Sequence, residues 1–217
     1  MKKPIFDSLV EVIENDQKNA EILITPVEKN FGNTLGHLLR RTILGMTPGC
    51  GITSIFIDND QKVHDFSSIT GIEEDMDKFI NHLKQAQISM DHYGPRFLFL
   101  KKEGPCVVTL GDITCPSDIQ ILNTEQYLCT IHQDTVLNIK MTVESGIGFK
   151  LNKGPTRENE VKIHTIFSPV THVSYHVKHF TFYEELILHV QTDGTVPPID
   201  LINSHFRSLC TKFTSLS

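Results

Sequence analysis

No stretch of the chain is apolar for the roughly 18 residues that a membrane-crossing helix needs. The first residues, "MKKPIFDSLVEVIEND", carry two lysines but no apolar h-region, so they are not read as a secretory signal. Cysteine is scarce. The five residues Cys50, Cys106, Cys115, Cys129 and Cys210 form no CxxC, and their number is odd. A disulfide framework is therefore not expected, and the thiols read as small buried groups in a reducing, cytoplasmic setting. Basic charge is also in short supply, with 20 Lys and Arg against 26 Asp and Glu and a net charge of −6. That argues against non-specific nucleic-acid binding by the chain as a whole.

Catalytic and metal motifs are missing as well. Eleven histidines are present, yet none forms HExxH or HxH. His172, His176 and His179 would share a face on a helix, but "SPVTHVSYHVKHF" follows a proline and alternates its valines, so it reads as a strand with a bend. There is no P-loop, no GxGxxG, no nucleophile elbow and no paired-carboxylate motif. An active site of the chain's own is not expected, nor is a metal or cofactor.

What remains is a mixed α+β pattern without a low-complexity linker. "EILITPVE" from Glu21 reads as a short strand and residues 30–46 as a helix, broken by Pro48-Gly49. "GITSIFIDN" reads as a strand buried on both faces or nearly so. In "TGIEEDMDKFINHLKQA", Ile72, Met76, Phe79, Ile80 and Leu83 recur at helical spacing behind an acidic first turn. Residues 96–143 hold short β-rich runs parted by Gly, Pro, Asp and Asn, as in an antiparallel sheet. Residues 144–162 read as a glycine-rich loop or arm. Two strands follow, and then a terminal helix with Ile199, Ile202, Phe206, Leu209 and Phe213 in a narrow seam. Spacing leaves open whether that seam docks on the chain itself or on another chain. The β-rich centre lies between two helix-bearing ends, as when one domain is inserted in another.

The first helix carries the most information. At about 100° per residue, Phe31, Leu35, Leu38, Leu39, Thr42 and Met46 form one stripe, read as the core face, with Asn30 as N-cap. Gly32 and Gly36 lie together on a flank near Ile43. A glycine in a helix interior costs about 1 kcal/mol relative to alanine, so that flank is expected to admit a closely approaching helix. Leu44 lies opposite the stripe beside His37, Arg40 and Arg41, a combination suited to a protein contact.

The run "VEKNFGNTLGHLLRRTILGMTPGC" resembles the first helix of the bacterial RNA polymerase α-subunit family, whose motif runs Gly-Phe-Gly-His-Thr-Leu-Gly-Asn-Ala-Leu-Arg-Arg and ends in Pro-Gly. The resemblance continues in family order. "VHDFSSITGIEEDMDKFINHLK" resembles the second helix and the strand before it. "VVTLGDITCPSDIQILN" resembles the Ala-Asp-Ile-Thr segment, "LNIKMTVESGIGF" the Arg-Gly-Arg-Gly-Tyr loop, and "FSPVTHVSYHV" with "LILHVQTDGTVPPIDLIN" the closing strands and last helix. The match runs from about Glu21 to Leu209.

The resemblance implies a dimerisation subdomain built from residues 1–48 and 168–217, with a β-rich subdomain, 49–167, inserted. It implies a dimer interface on the first and last helices, here Phe31, Gly32, Leu35, Gly36, Leu39, Ile202, Phe206, Leu209 and Phe213. It implies contacts to the large β and β′ subunits through Arg41, Leu44, Lys84, Ser168, Pro169 and Val170. The implied partners are a second α (identical or a different copy), β and β′, with omega and sigma in the assembled enzyme. No direct DNA binding by residues 1–217 is expected, because the family's DNA-reading domain has no counterpart in them. The chain departs from the family at 145–149, where Ser-Gly-Ile-Gly-Phe replaces Arg-Gly-Arg-Gly-Tyr, and at Asn33 and His37, which exchange the family's His and Asn. A dimeric α-like adaptor outside the core polymerase is the rival reading.

Overall fold

The computed structural model describes residues 8–58, 71–91, 93–132, 135–152 and 159–215. In chain order the elements are β1 (Leu9–Asn15), β2 (Asn19–Val27), α1 (Gly32–Met46), β3 (Pro48–Ile57), α2 (Met76–Leu83), β4 (Ile88–Met90) and β5 (Arg96–Glu103). Next come β6 (Cys106–Thr109), a 3-10 turn (Leu110–Asp112), β7 (Ile113–Thr114), β8 (Ile119–Ile121), β9 (Tyr127–Ile131) and β10 (Val136–Ile147). The chain continues through β11 (Phe149–Lys150), β12 (Glu160–Lys162), β13 (Thr165–Ile166), β14 (Val170–His179), β15 (Glu184–Thr192) and α3 (Pro198–Thr214). No helix among the described residues is long and apolar enough to cross a membrane. Two compact units result, one from Met1–Thr47 with Ser168–Ser217 and one from Pro48–Phe167.

The first unit is an antiparallel sheet in the order β1-β2-β15-β14 with α1 and α3 on one face. Alternation builds that face. Ile22 and Ile24 of β2 stand in register with Leu188 and Leu186 of β15, and all four are at most 4 % exposed. Leu39 and Ile43 of α1 and Leu201 and Ile202 of α3 close the core from above. Each such burial contributes about 1.5–3 kcal/mol. β1, not foreseen from the sequence, is exposed along its whole length, including Val10 and Val12 opposite Ile24 and Ile22.

The second unit is built on a five-stranded antiparallel sheet, β12-β3-β10-β5-β7. Ile55, Ile57, Leu98, Leu100, Ile139 and Met141 point into its core, which Met76, Phe79 and Leu83 of α2 complete. Acids favour the start of α2, with Asp75 at the N-cap and Asp77 in the first turn. Short two-stranded sheets β4-β8, β6-β9 and β11-β13 surround it. All five cysteines are free. Cys129 is buried and Cys50, Cys106 and Cys115 are half-buried, but Cys210 is exposed, against expectation. Burial pushes the thiols of Cys50 and Cys115 up and that of Cys129 to about 12.

Two further expectations change. β3 is buried on both faces at Gly51–Thr53 but on one face only farther along, where Phe56 points outward. The glycine-rich stretch from 144 is largely strand, not loop. Gly146 carries β10 past the Phe167 ring, where a Cβ would sit 2.6 Å from ring carbons. The expected strand before the second helix, at 63–70, lies outside the described residues, as do 153–158.

The start of α1 is held from a distance. Asn30 is not the N-cap. It takes a left-handed φ of 69°, and the helix begins at Gly32 without a local side-chain cap. Glu184 of β15, 2 % exposed, supplies the acceptors. Gly32 N–H donates to its Oε2 at 2.8 Å and Asn30 N–H to its Oε1 at 3.0 Å. His179 donates from Nδ1–H to Oε1 at 2.8 Å. The Gly32 N–H, the Asn30 N–H and His179 together hold this carboxyl below its usual range, against the upward push of burial. A depressed folded value means that the stabilisation is fully present above the unfolded value of about 4.3 and is lost as pH falls from there through the lower folded value. Glu184→Gln should therefore melt several degrees lower than the parent at pH 7. The gap should close as the pH drops below about 4. Parallel melting curves at every pH would remove the charged cap from the account.

Candidate subunit interface

The face that α1 turns to its own sheet is not the stripe expected from the sequence. Gly32, Gly36, Leu39, Thr42 and Ile43 are buried, so the core face lies one flank over. β14 is the reason. A Cβ on Gly36 would sit 2.5 Å from the Tyr175 ring, and one on Gly32 2.8 Å from Val177. The glycine flank thus admits this chain's own strand, not a second helix. Gly32, Gly36 and Leu39 are consequently internal and present no side-chain surface to a partner.

The rotation leaves the two ends of the expected stripe uncovered and its middle partly so. Phe31 and Met46 are 45 % and 44 % exposed, and Leu35 and Leu38 are half-buried. These four recur along one side of α1. α3 behaves in a graded way. Its first half turns Leu201, Ile202 and His205 inward. Phe206 and Leu209 are half-buried against the same core, and Phe213 is 59 % exposed. The seam therefore docks on its own body at its start and faces outward at its end.

A polar contact ties α1 to α3. Thr47 donates from its hydroxyl to Ile43 O at 2.5 Å, and His205 Nε2–H then donates to Thr47 Oγ1 at 2.8 Å. Burial, and secondarily Lys212, holds His205 below the ordinary histidine value, so it sits there neutral. Glu184, Tyr175, Thr47 and His205 were all missed in the sequence. Glu184 alone left a trace, an acid opening an apolar alternation.

The twin arginines divide. Arg40 donates from Nε to Val173 O at 3.0 Å, so it serves its own sheet. Arg41 is exposed and has no hydrogen bond or ion pair among the described residues. Leu44 is half-buried at the rim of the core. Lys84 is exposed and closes α2, with its backbone N–H donating to Ile80 O at 2.9 Å. Of the Ser-Pro-Val turn, only Ser168 is half-exposed. Pro169 and Val170 are buried, and Pro169 O accepts from Asp193 N–H at 2.9 Å. Val170 belongs to the first unit's core.

Among the described residues, Phe31, Met46 and Arg41 are thus exposed side chains that the first unit's own core does not use. Residues 55–168 match the family described as the RNA polymerase Rpb3/RpoA insert domain. The chain is 36 % identical, over 94 % of its length, to the DNA-directed RNA polymerase subunit alpha of Alkaliphilus oremlandii. It is 36 % identical over 91 % of its length to that of Corynebacterium diphtheriae, and 35 % over 89 % to that of Acidothermus cellulolyticus. It spans 66 %, 60 % and 59 % of the lengths of these relatives. The chain belongs to the RNA polymerase α-subunit family.

The division between the arginines is testable without any partner. Arg40→Ala should cost about 1 kcal/mol of stability, the worth of one hydrogen bond. Arg41→Ala should stay within about 0.5 kcal/mol of the parent. Denaturant unfolding of both variants decides. An equal loss would place Arg41 in the fold and not on a contact surface.

Proposed function

We propose that this chain is an α subunit of a bacterial-type DNA-directed RNA polymerase and acts as a dimeric scaffold on which β and β′ assemble. It contributes surfaces, not chemistry. The uncovered side of α1 carries the proposal. Phe31, Leu35, Leu38 and Met46 form an apolar strip on a helix already anchored elsewhere, and the outward end of α3 offers Phe206, Leu209 and Phe213. A second α meeting both would bury them. In this dimer Ile202 supports the interface from beneath, as do Gly32, Gly36 and Leu39.

On the opposite side of α1, Arg41 with Leu44 is the proposed anchor for a large subunit. An unpaired arginine beside an apolar residue matches the composition of binding hot spots. Lys84 and the rim at Ser168 are proposed as further large-subunit positions, and Pro169 and Val170 contribute by shaping that rim. Omega and sigma join the assembled enzyme without direct demands on this chain.

Phe31→Asp and Phe213→Asp change residues exposed in the single chain, so both should fold. In sedimentation velocity each should shift the protein from dimer to monomer. Co-expressed with β and β′, the parent should capture the large subunits, and Arg41→Ala should lower capture by about 30-fold, a loss of about 2 kcal/mol. A dimer that captures neither large subunit would favour the adaptor reading. A monomeric parent would refute the interface.

A further inference from the structure

The five-stranded sheet of the second unit has an outward face that does not look like a solvated one. Strand β5 turns Leu98 and Leu100 inward, both fully buried, and Phe97, Phe99 and Lys101 outward. Phe97 and Phe99 are 46 % and 49 % exposed. On β3, Phe56 points the same way between buried Ile55 and Ile57. An antiparallel sheet with one wet face ordinarily alternates apolar-in with polar-out. Here three phenylalanines occupy the polar side.

Register makes them neighbours. Phe56 on β3, Lys140 on β10 and Phe99 on β5 form one row across adjacent strands. Phe97 stands in the next row beside Thr142, with Ser54 beyond. Lys140 leans diagonally, with its Nζ 3.8 Å from the Phe97 ring centroid. Lys101 extends the line of Phe97 and Phe99 along β5. Among the described residues neither Lys101 nor Lys140 joins an ion pair. The result is an aromatic patch with two cations, Lys101 and Lys140, set into it. Contiguous exposed apolar surface of this kind marks an interaction site.

We propose that this face docks a protein segment carrying apolar side chains flanked by carboxylates. The apolar groups seat on Phe97, Phe99 and Phe56, and the carboxylates pair with Lys101 and Lys140. Aromatic rings and lysines on a sheet could also stack the bases of a single strand. The charges disfavour that occupant. Glu160 stands directly beside Phe56, and Asp58, held by Asn138, lies at the end of the same strand. A phosphate chain crossing the sheet would meet the Asp58 carboxylate, whereas a short segment with two carboxylates need reach only Lys101 and Lys140.

The test uses the full chain and a fluorescein-labelled peptide of alternating leucine and glutamate. A leucine-lysine peptide and an oligo-dT strand serve as counter-probes. Fluorescence anisotropy should show saturable binding of the leucine-glutamate peptide. Phe97→Ser with Phe99→Ser should weaken it about tenfold or more. Lys101→Glu with Lys140→Glu should weaken it similarly and switch preference to the leucine-lysine peptide. Circular dichroism of each variant should match the parent. Absence of saturable binding, binding indifferent to the lysine exchange, or tighter capture of oligo-dT than of the peptide would each overturn the proposal.

Discussion

The close approach of α1 to β14 is the constraint from which the first unit's surfaces follow. Gly32 and Gly36 let the helix backbone come so near that Val177 and Tyr175 fill the space where Cβ atoms would be. Glu184 then fixes the end of the helix by taking the hydrogen bonds that its first N–H groups would otherwise lack. A helix held on one narrow face, by two glycines, Leu39, Ile43 and a buried carboxylate, commits only part of its apolar surface to its own core. Phe31, Leu35, Leu38 and Met46 are thereby left over, and Arg41 with Leu44 is turned the other way. One packing decision sets which surfaces are free.

Much of this was readable in the residues, but the orientation of the helix was not. Strong periodicity gave α1, α2 and α3, and alternation gave the strands on either side of them. Residues 96–103 were legible as a strand, but nothing local said that the side bearing Phe97 and Phe99 is exposed. The helical wheel failed on α1 because it ranks faces by apolar bulk. The true core face is ranked by closeness, and glycine has no bulk to count. Likewise Asn30 looked like a cap because capping was sought nearby, whereas the acceptor lies 154 residues away in Glu184. The strand at 144–147 was hidden by Gly146, whose bareness serves the Phe167 ring and not a turn. The strand β1 was passed over because its apolar residues are uncovered, so it lacks the contrast between faces that makes a strand visible.

The two units use their sheets differently. The first covers one face with helices, and those helices carry the proposed α and large-subunit contacts on the sides they do not need. The second covers one face with its own core and leaves phenylalanines and lysines on the other. On the proposed reading the chain is a joining device in which each unit reserves one surface for itself and presents another. The side chains that a partner would meet, Phe31, Arg41, Phe213 and Lys84, are exposed without making side-chain contacts that the fold depends on. Those that make the fold possible, Gly36, Tyr175, Glu184 and Val170, are internal or nearly so.

The close helix–strand approach is best tested by a double-mutant cycle between Gly36 and Tyr175, read by denaturant unfolding with the oligomeric state measured beside it. Gly36→Leu alone should destabilise by several kcal/mol, because overpacking typically costs about 1–3 kcal/mol and the approach also ceases to be close. In a Tyr175→Ala background the same leucine finds the space of the missing ring. Its cost should then fall by more than about 1 kcal/mol, the coupling expected of residues in direct contact. Additive costs, or a Gly36→Leu protein that keeps its stability and loses only its dimer, would mean that the glycine flank faces a partner after all.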